Sequence, residues 1–140
     1  MTKNSAAISA ELSLRLVVPD QGSVPLVASL YYGAEDPYAI RMAFQVGTDE
    51  PVEWIFARDL LAVGMEGPAG EGDVQVWPAD EHGHELLNIA LSSPFGEAHF
   101  EAPRSSTAAF LSRTYEVIAP GHETDYVDVD SELDELLWRA

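Results

Sequence analysis

The most informative stretch of the sequence is Pro51-Val-Glu-Trp-Ile-Phe-Ala-Arg-Asp-Leu-Leu61. Apolar side chains alternate through its first half, with Val52, Trp54 and Phe56 on one side. A period of two residues is typical of a strand that buries one face. The alternation then stops near Ala57 without a turn signal, and the pattern predicts that the strand continues directly into a helix.

That helix is predicted over 58–63. It is too short to be stable in isolation, because the first hydrogen-bonded turn is costly to form, so packing against the rest of the protein must hold it. Gly64 follows at once and is placed to end the helix with a positive φ.

Alternation of the same kind recurs on both sides of this stretch, separated by turn residues. It predicts seven strands, at 9–18, 25–32, 38–46, 51–56, 73–78, 85–92 and 96–102. Neighbouring strands joined by short turns pair in antiparallel fashion, which gives one meander of four strands and one of three. The prediction is a single α+β domain over 1–140, with an ordered core at about 9–138.

Two further helices are predicted after the strands. Pro103 suits the first turn of a helix over 103–117, where its missing N–H costs nothing. One apolar stripe runs along that helix through Phe110, Leu111, Thr114, Val117 and Ile118. A last helix begins at a cap on Asp130 or Ser131, and its apolar face consists of Leu133, Leu136 and Leu137.

Charge is the strongest constraint from composition. Seven basic residues against 24 acidic ones give a net charge of −17. A field of that sign repels phosphate backbones and anionic lipids. The sequence contains no cysteine and no apolar run long enough for a membrane helix, and its first residues lack the apolar core expected of a signal peptide. We therefore expect a soluble, cytoplasmic protein without direct membrane insertion.

Four motifs could be interpreted as metal, phosphate, calcium or catalytic sites, but the residues of each argue against that interpretation. His82-Gly-His84 supplies too few ligands for a structural metal site and is typical of a polar hairpin turn. The glycine-rich run 67–72 precedes a strand and lacks the lysine of a phosphate loop. The run 128–132 has Leu133 where a calcium loop needs glycine. The run 92–96 lacks the nucleophile elbow of a hydrolase and predicts a β-hairpin turn. The prediction is no enzyme, no cofactor and no metal.

Aromatic residues leave a second function open. Three tryptophans and five tyrosines could stack on single-stranded nucleic acid, but stacking platforms normally work beside a basic groove. The arginines here stand singly among the acids, so nucleic-acid binding is disfavoured. Aromatic, Met and Arg side chains are also enriched at protein interfaces. The candidate partner contacts on that basis are Tyr31, Tyr32, Tyr38, Met65 and Trp138.

The sequence also resembles a known family through four motifs. These are the 51–61 stretch, Gly72-Asp-Val-Gln-Val-Trp-Pro78, Ala90-Leu-Ser-Ser-Pro-Phe-Gly-Glu-Ala98 and Glu101-Ala-Pro103. In order and spacing they are similar to the SsgA-like family of actinomycete sporulation and cell-division proteins, nearest to the SsgB type, over roughly residues 11 to 137. Residues 80–86 and the stretch after Ala119 match the family pattern only loosely.

The resemblance implies a Whirly-like fold and a homo-oligomer, in particular a homotrimer. It implies a non-enzymatic regulator that marks the sites of sporulation septa and recruits the tubulin-like division GTPase FtsZ. An SsgA-type paralogue would act as its positioning partner. The expected location is the cytoplasm, at the division septum.

Overall fold

The computed structural model describes residues 7–44, 51–70, 72–94 and 96–126. In chain order the elements are β1 (Ala7–Val18), β2 (Gly22–Gly33), β3 (Ala39–Phe44), β4 (Val52–Ala57), α1 (Arg58–Gly64), β5 (Val74–Glu81), β6 (His84–Ser93), β7 (Gly96–Pro103), α2 (Arg104–Val117) and a 3₁₀ helix (Glu123–Tyr126). The predicted succession of four strands, a helix, three strands and a helix is confirmed. The helix predicted from Asp130 or Ser131 onwards lies outside the described residues.

All seven strands form one antiparallel sheet in the order β4-β3-β2-β1-β7-β6-β5. β1 to β4 form the first meander and β5 to β7 the second. The two meanders join where β1 pairs with β7, at Arg15 opposite Glu101 and Leu16 opposite Phe100. The predicted α+β class, with seven antiparallel strands in meanders of four and three, is confirmed.

One face of this sheet forms the core. On β2, for example, Ala28 and Leu30 are buried, whereas Val27 before them and Tyr31 after them are exposed. Phe110 and Leu111 of α2 belong to the same core cluster, so the helices cover that side. We call it the core face, and the other side of the sheet the open face. The period-two alternation of the sequence therefore sorts side chains between a packed side and an exposed one.

The end of α1 differs from the prediction. Gly64 is the last residue of the helix and does not have a positive φ, and Met65 after it is also in the right-handed helical region. A Cβ on Gly64 would instead stand 2.6 Å from Cβ of Val76 and overlap its Cγ1. The glycine is needed because α1 crosses β5 closely, and the predicted role in ending the helix through a positive φ is wrong.

α2 agrees closely with its prediction. Pro103 stands immediately before the helix, and its carbonyl accepts a hydrogen bond of 3.0 Å from the hydroxyl of Thr107. The side chains buried along the helix are Thr107, Phe110, Leu111 and Thr114, and Ile118 just beyond it is also buried. The predicted stripe is confirmed, and it fixes α2 across the core face.

The hairpin between β5 and β6 contains the histidine motif. His82 and Gly83 both have positive φ, 53° and 85°, and Glu81 pairs with His84 on either side of them. Two central residues with positive φ form the turn type whose twist suits a two-residue hairpin. Asp80 supports it by accepting a 3.0 Å hydrogen bond from the Gly83 N–H. The predicted hairpin turn is confirmed.

Candidate interaction surfaces

The five predicted partner contacts do not share one surface. Tyr31 and Tyr38 are 36% and 46% exposed. Tyr32 and Met65 are buried in the core cluster, so the expectation that they form exposed contacts is wrong. Strand alternation places Tyr32 on the core face directly after Tyr31 on the open face, and Met65 follows α1 against that core. Trp138 lies outside the described residues.

Tyr31 takes part in a cluster on the open face. The guanidinium of Arg41, on the neighbouring strand β3, lies over the Tyr31 ring at 4.7 Å from its centroid. Arg41 Nε also forms an ion pair of 3.3 Å with Glu53 on β4, and both side chains are 49% exposed. We call Tyr31, Arg41 and Glu53 the open-face trio. It offers an aromatic ring, a cation and an anion across three adjacent strands.

A second trio with the same residue types lies inside the protein. Arg58, the first residue of α1, is only 2% exposed, and its Nη2 lies 2.6 Å from Oε2 of Glu123. Its guanidinium stacks over the rings of Tyr32, at 4.9 Å, and Tyr115, at 5.0 Å. We call Tyr32, Arg58 and Glu123 the buried trio. A buried charge requires such partners, because burying an unpaired one is very costly.

Arg58 also binds the end of α2. Its Nη1 donates hydrogen bonds to the carbonyl oxygens of Thr114, at 3.2 Å, and Ile118, at 2.8 Å. The Thr114 carbonyl also accepts the Ile118 N–H at 3.0 Å, and a cationic donor at the C-terminal end of a helix is favourable. Arg58 thus connects the start of α1, the end of α2 and the 3₁₀ helix. Its role is to hold these elements together rather than to face a ligand.

Two pKa values reflect the buried trio. The hydrogen bond from Arg58 lowers the pKa of the Glu123 carboxyl below its usual value of 4.5, because it favours the ionised form. Burial raises the pKa of the Tyr32 hydroxyl above 10.0, and the charge of Arg58 opposes that rise. The Tyr32 hydroxyl donates a 2.8 Å hydrogen bond to the Pro37 carbonyl. Around neutral pH the trio therefore consists of a neutral phenol, a guanidinium and a carboxylate.

The second meander carries a different polar cluster opposite the core face. His99 Nε2 lies 2.6 Å from Oδ1 of Asn88, and the imidazole lies against the indole of Trp77 with ring centroids 5.3 Å apart. Asn88 points to the open face, because Leu87 and Ile89 on either side of it point to the core, and yet it is buried. The three residues come from β5, β6 and β7, so the cluster ties the second meander together.

A cleft of about 370 Å³ lies beside the tip of the β5–β6 hairpin. His82 and His84 line it together with Arg15 and Glu101, which stand opposite each other on β1 and β7. Arg15 Nε donates a 2.6 Å hydrogen bond to the Ser23 hydroxyl. Within the described ranges, no three His, Asp or Glu side chains are placed to hold a metal ion. The histidine pair lines a mixed-charge cleft.

The arginines of the described ranges are dispersed over the molecule. Arg41, Arg58 and Arg104 each form an ion pair with a glutamate. Arg15 bonds to Ser23 at one end of the open face, and Arg113 of α2 bonds to the Ser9 carbonyl. A protein that follows a nucleic-acid backbone aligns its cations along one groove. These five side chains lie on both sides of the sheet, and three of them are neutralised locally.

Comparison with known proteins places this arrangement in a family. A family model described as "Streptomyces sporulation and cell division protein, SsgA" matches residues 26–123. The chain belongs to the SsgA family. It is 53% identical over 137 residues to a Thermobifida fusca protein named sporulation-specific cell division protein SsgB, covering 98% of this chain and 99% of that one. The predicted membership, including the likeness to the SsgB type, is confirmed.

Solved structures of SsgA-family proteins share the fold. The crystal structure of an SsgA-like sporulation-specific cell division protein from Thermobifida fusca superposes with a TM-score of 0.85 at 53% identity, over 96% of this chain and 98% of that one. A second, described in work on mutations in SsgB that correlate with longitudinal cell division during sporulation of Streptomyces coelicolor, also gives 0.85. It is 47% identical over 91% of this chain and 100% of that one.

Sequence reasoning missed the main polar residue of this SsgA-family structure. The sequence shows Arg58 only as one of several arginines that stand singly among the acids, yet its side chain forms hydrogen bonds to α2, an ion pair to Glu123 and two ring contacts. The available signal was its position: one cation between Phe56 and the Leu60-Leu61 pair, where the strand passes into the helix. None of the helices in the described ranges could span a membrane.

Proposed function

We propose that this SsgA-family protein marks the sites of sporulation septa and recruits FtsZ to them. The observation that carries the proposal is its 53% identity, over 98% of the chain, to a protein named for sporulation-specific cell division. The likeness extends over nearly the full length of both chains, so a shared role for the whole domain is the simplest reading. The protein acts without catalysis, at the division septum in the cytoplasm.

The mechanism of recruitment is multivalent binding. In this proposal the protein is a homotrimer and presents identical surfaces to a polymer with identical subunits. Linked contacts make the second binding event effectively intramolecular, which raises avidity without a new contact surface. An SsgA-type paralogue positions the assembly. The exposed aromatic residues Tyr31 and Tyr38 supply the type of side chain that interfaces favour.

Nucleic acid is not a partner in this proposal. A net charge of −17 opposes approach to a phosphate backbone, since such binding draws most of its affinity from neutralised phosphates. Three of the arginines are already paired with glutamates. The same charge disfavours anionic lipid, so contact with the membrane is made through a partner and not by direct insertion.

The experiment is co-sedimentation of the purified protein with GTP-assembled FtsZ from the same organism, at two salt concentrations. Saturable pelleting that depends on polymer is the expected result, and unassembled FtsZ with GDP is the control. Pelleting that weakens at the higher salt measures the electrostatic share of binding. A protein that stays in the supernatant under both conditions refutes direct recruitment of FtsZ.

Point variants locate the contact. Tyr31→Ala and Tyr38→Ala each remove an exposed ring, and Val63→Ala, an exposed apolar residue on α1, is the control. If a ring anchors the interface, its truncation weakens binding by at least about tenfold. Variants that all bind like the parent show that FtsZ contacts another surface.

A further inference from the structure

The two edges of the sheet are built differently. At the outer edge of β5, Val76 exchanges two backbone hydrogen bonds with Ala69, of 2.8 and 2.9 Å. Residues on a strand alternate in the direction of their backbone groups, so Pro78 is the next residue to point outward. It has no N–H to offer. This edge is closed by a loop and a proline, two devices that prevent further strand addition.

The outer edge of β4 has neither device in the described part of the chain. The Arg58 N–H donates to the Tyr38 carbonyl at 2.7 Å. This bond determines which residues of β4 direct their backbone groups towards β3. By alternation, the backbone groups of Glu53, Ile55 and Ala57 point away from the sheet. They form a row of three N–H groups and the C=O groups of Glu53 and Ile55, and no described strand pairs with them because β4 is the last strand of the sheet. The Ala57 C=O caps the start of α1.

The side chains along this edge favour contact with another chain. Ile55 is 61% exposed on the open face, and Val52 on the other side is also exposed. Lysine or an unpaired inward charge normally protects such an edge, but the one charge here, Glu53, is bound by Arg41. The edge therefore offers apolar contacts on both faces of any strand that pairs with it.

We propose that the outer edge of β4 binds an extended, positively charged segment of a partner protein, which adds an eighth strand to the sheet. Main-chain hydrogen bonds to Glu53, Ile55 and Ala57 hold the segment, and its alternate side chains contact Ile55 and Val52. The net charge of −17 selects a basic segment and disfavours a second copy of this chain. The inference deepens the proposed function and rests on it in taking the protein to be a recruiting scaffold.

A direct test uses amide hydrogen exchange with a defined probe. The probe is a short capped peptide in which valine alternates with lysine and threonine, and the control is the same peptide with alternate backbone amides methylated. In the free protein, the outward amides of Glu53, Ile55 and Ala57 exchange fast, whereas those of Trp54 and Phe56 are protected. The probe slows the three outward amides and the methylated control does not.

Variants at Ile55 supply the second arm. Ile55→Pro removes an outward N–H that β3 does not use and reproduces at β4 the device present at Pro78. Ile55→Lys keeps the N–H but repels a basic strand, Ile55→Thr is the neutral control, and Val24→Lys adds the same charge elsewhere. We expect Ile55→Pro and Ile55→Lys to weaken probe binding by about tenfold or more, Ile55→Thr to weaken it less than either, and Val24→Lys to bind like the parent. Thermal unfolding checks that each variant is folded.

The outcomes separate this inference from the proposed function. Outward amides that a saturating probe leaves unchanged overturn the inference. Outward amides that are already protected in the free protein also overturn it. If that protection rises with protein concentration, a second copy of the chain covers the edge. If it does not, another part of the same chain covers it. If the parent and Ile55→Pro pellet equally with FtsZ, recruitment stands and the edge is not its site. If the parent fails to pellet while the probe binds, the edge stands and FtsZ recruitment fails.

Discussion

Replacing Arg58 by alanine is the most informative test of the fold. The change removes an arginine that is 2% exposed, together with its ion pair to Glu123 and its hydrogen bonds to the carbonyls of Thr114 and Ile118. Removing one member of a buried ion pair typically costs about 3–5 kcal/mol, because the other charge is left unpaired. The Glu123 side chain retains 19% exposure and can be hydrated, so we expect the lower end, about 3 kcal/mol.

The matched control is Arg41→Ala. Arg41 has the same kinds of partner, a tyrosine ring and a glutamate, but lies half exposed on the open face. An exposed ion pair contributes about 0–1 kcal/mol. Urea unfolding followed by tryptophan fluorescence measures both free energies. For a chain of this size, a loss of about 3 kcal/mol lowers Tm by about 10 °C.

The test is the difference between the stability lost in Arg58→Ala and the stability lost in Arg41→Ala. If Arg58→Ala and Arg41→Ala destabilise the protein equally, burial does not make the contacts of the buried trio more stabilising than those of the open-face trio. The double variant of Arg58 and Glu123 then measures the coupling between them. A coupling energy near zero would refute the assignment of this ion pair as the connection between α1, α2 and the 3₁₀ helix.

Two further predictions follow from the same structure. The pKa of Glu123 is lowered in the folded protein, so its contribution to stability is complete above its usual value of 4.5 and is lost as pH falls through the depressed value. Glu123→Gln should therefore be less stable than the parent at pH 7. The difference in their free energies of unfolding, measured by urea titrations, should narrow below about pH 4.5, and a difference independent of pH contradicts the assignment. Gly64→Ala forces a methyl group against Val76 and should cost about 1–3 kcal/mol in thermal unfolding, whereas Gly67→Ala, with open space around it, should cost little.

The strands could be predicted from the sequence because each one alternates. A period of two is set by the pleat itself, so it survives whatever packs on the sheet. The pairing of β1 with β7 could not be predicted in this way, since Arg15 and Glu101 are far apart in sequence and no turn connects them. The role of Gly64 was also out of reach, because it depends on how closely α1 crosses Val76 in three dimensions.

The candidate contacts were only partly predictable. Composition shows aromatic and methionine residues of the types that are enriched at protein interfaces, but it does not show on which face of the sheet each one lies. Alternation separates Tyr31 from Tyr32 once the strand is placed, and it could have assigned Tyr32 to the core. Met65 and Arg58 follow from tertiary packing around α1, which no local pattern contains. Buried charge is the harder case, because it depends on partners that are distant in sequence.

The two trios show how one chemistry serves two purposes in this domain. Tyr31 with Arg41 and Tyr32 with Arg58 differ by one step along β2, and that step moves the ring from the open face to the core face. In the core, the guanidinium is desolvated and its partners are fixed, so the contacts stabilise the fold. On the open face, water screens the pair, the contacts are weak, and a partner can replace them at little cost. The partner contacts that we propose are therefore to be sought around Tyr31 and the β4 edge, and the contacts that stabilise the fold around Arg58.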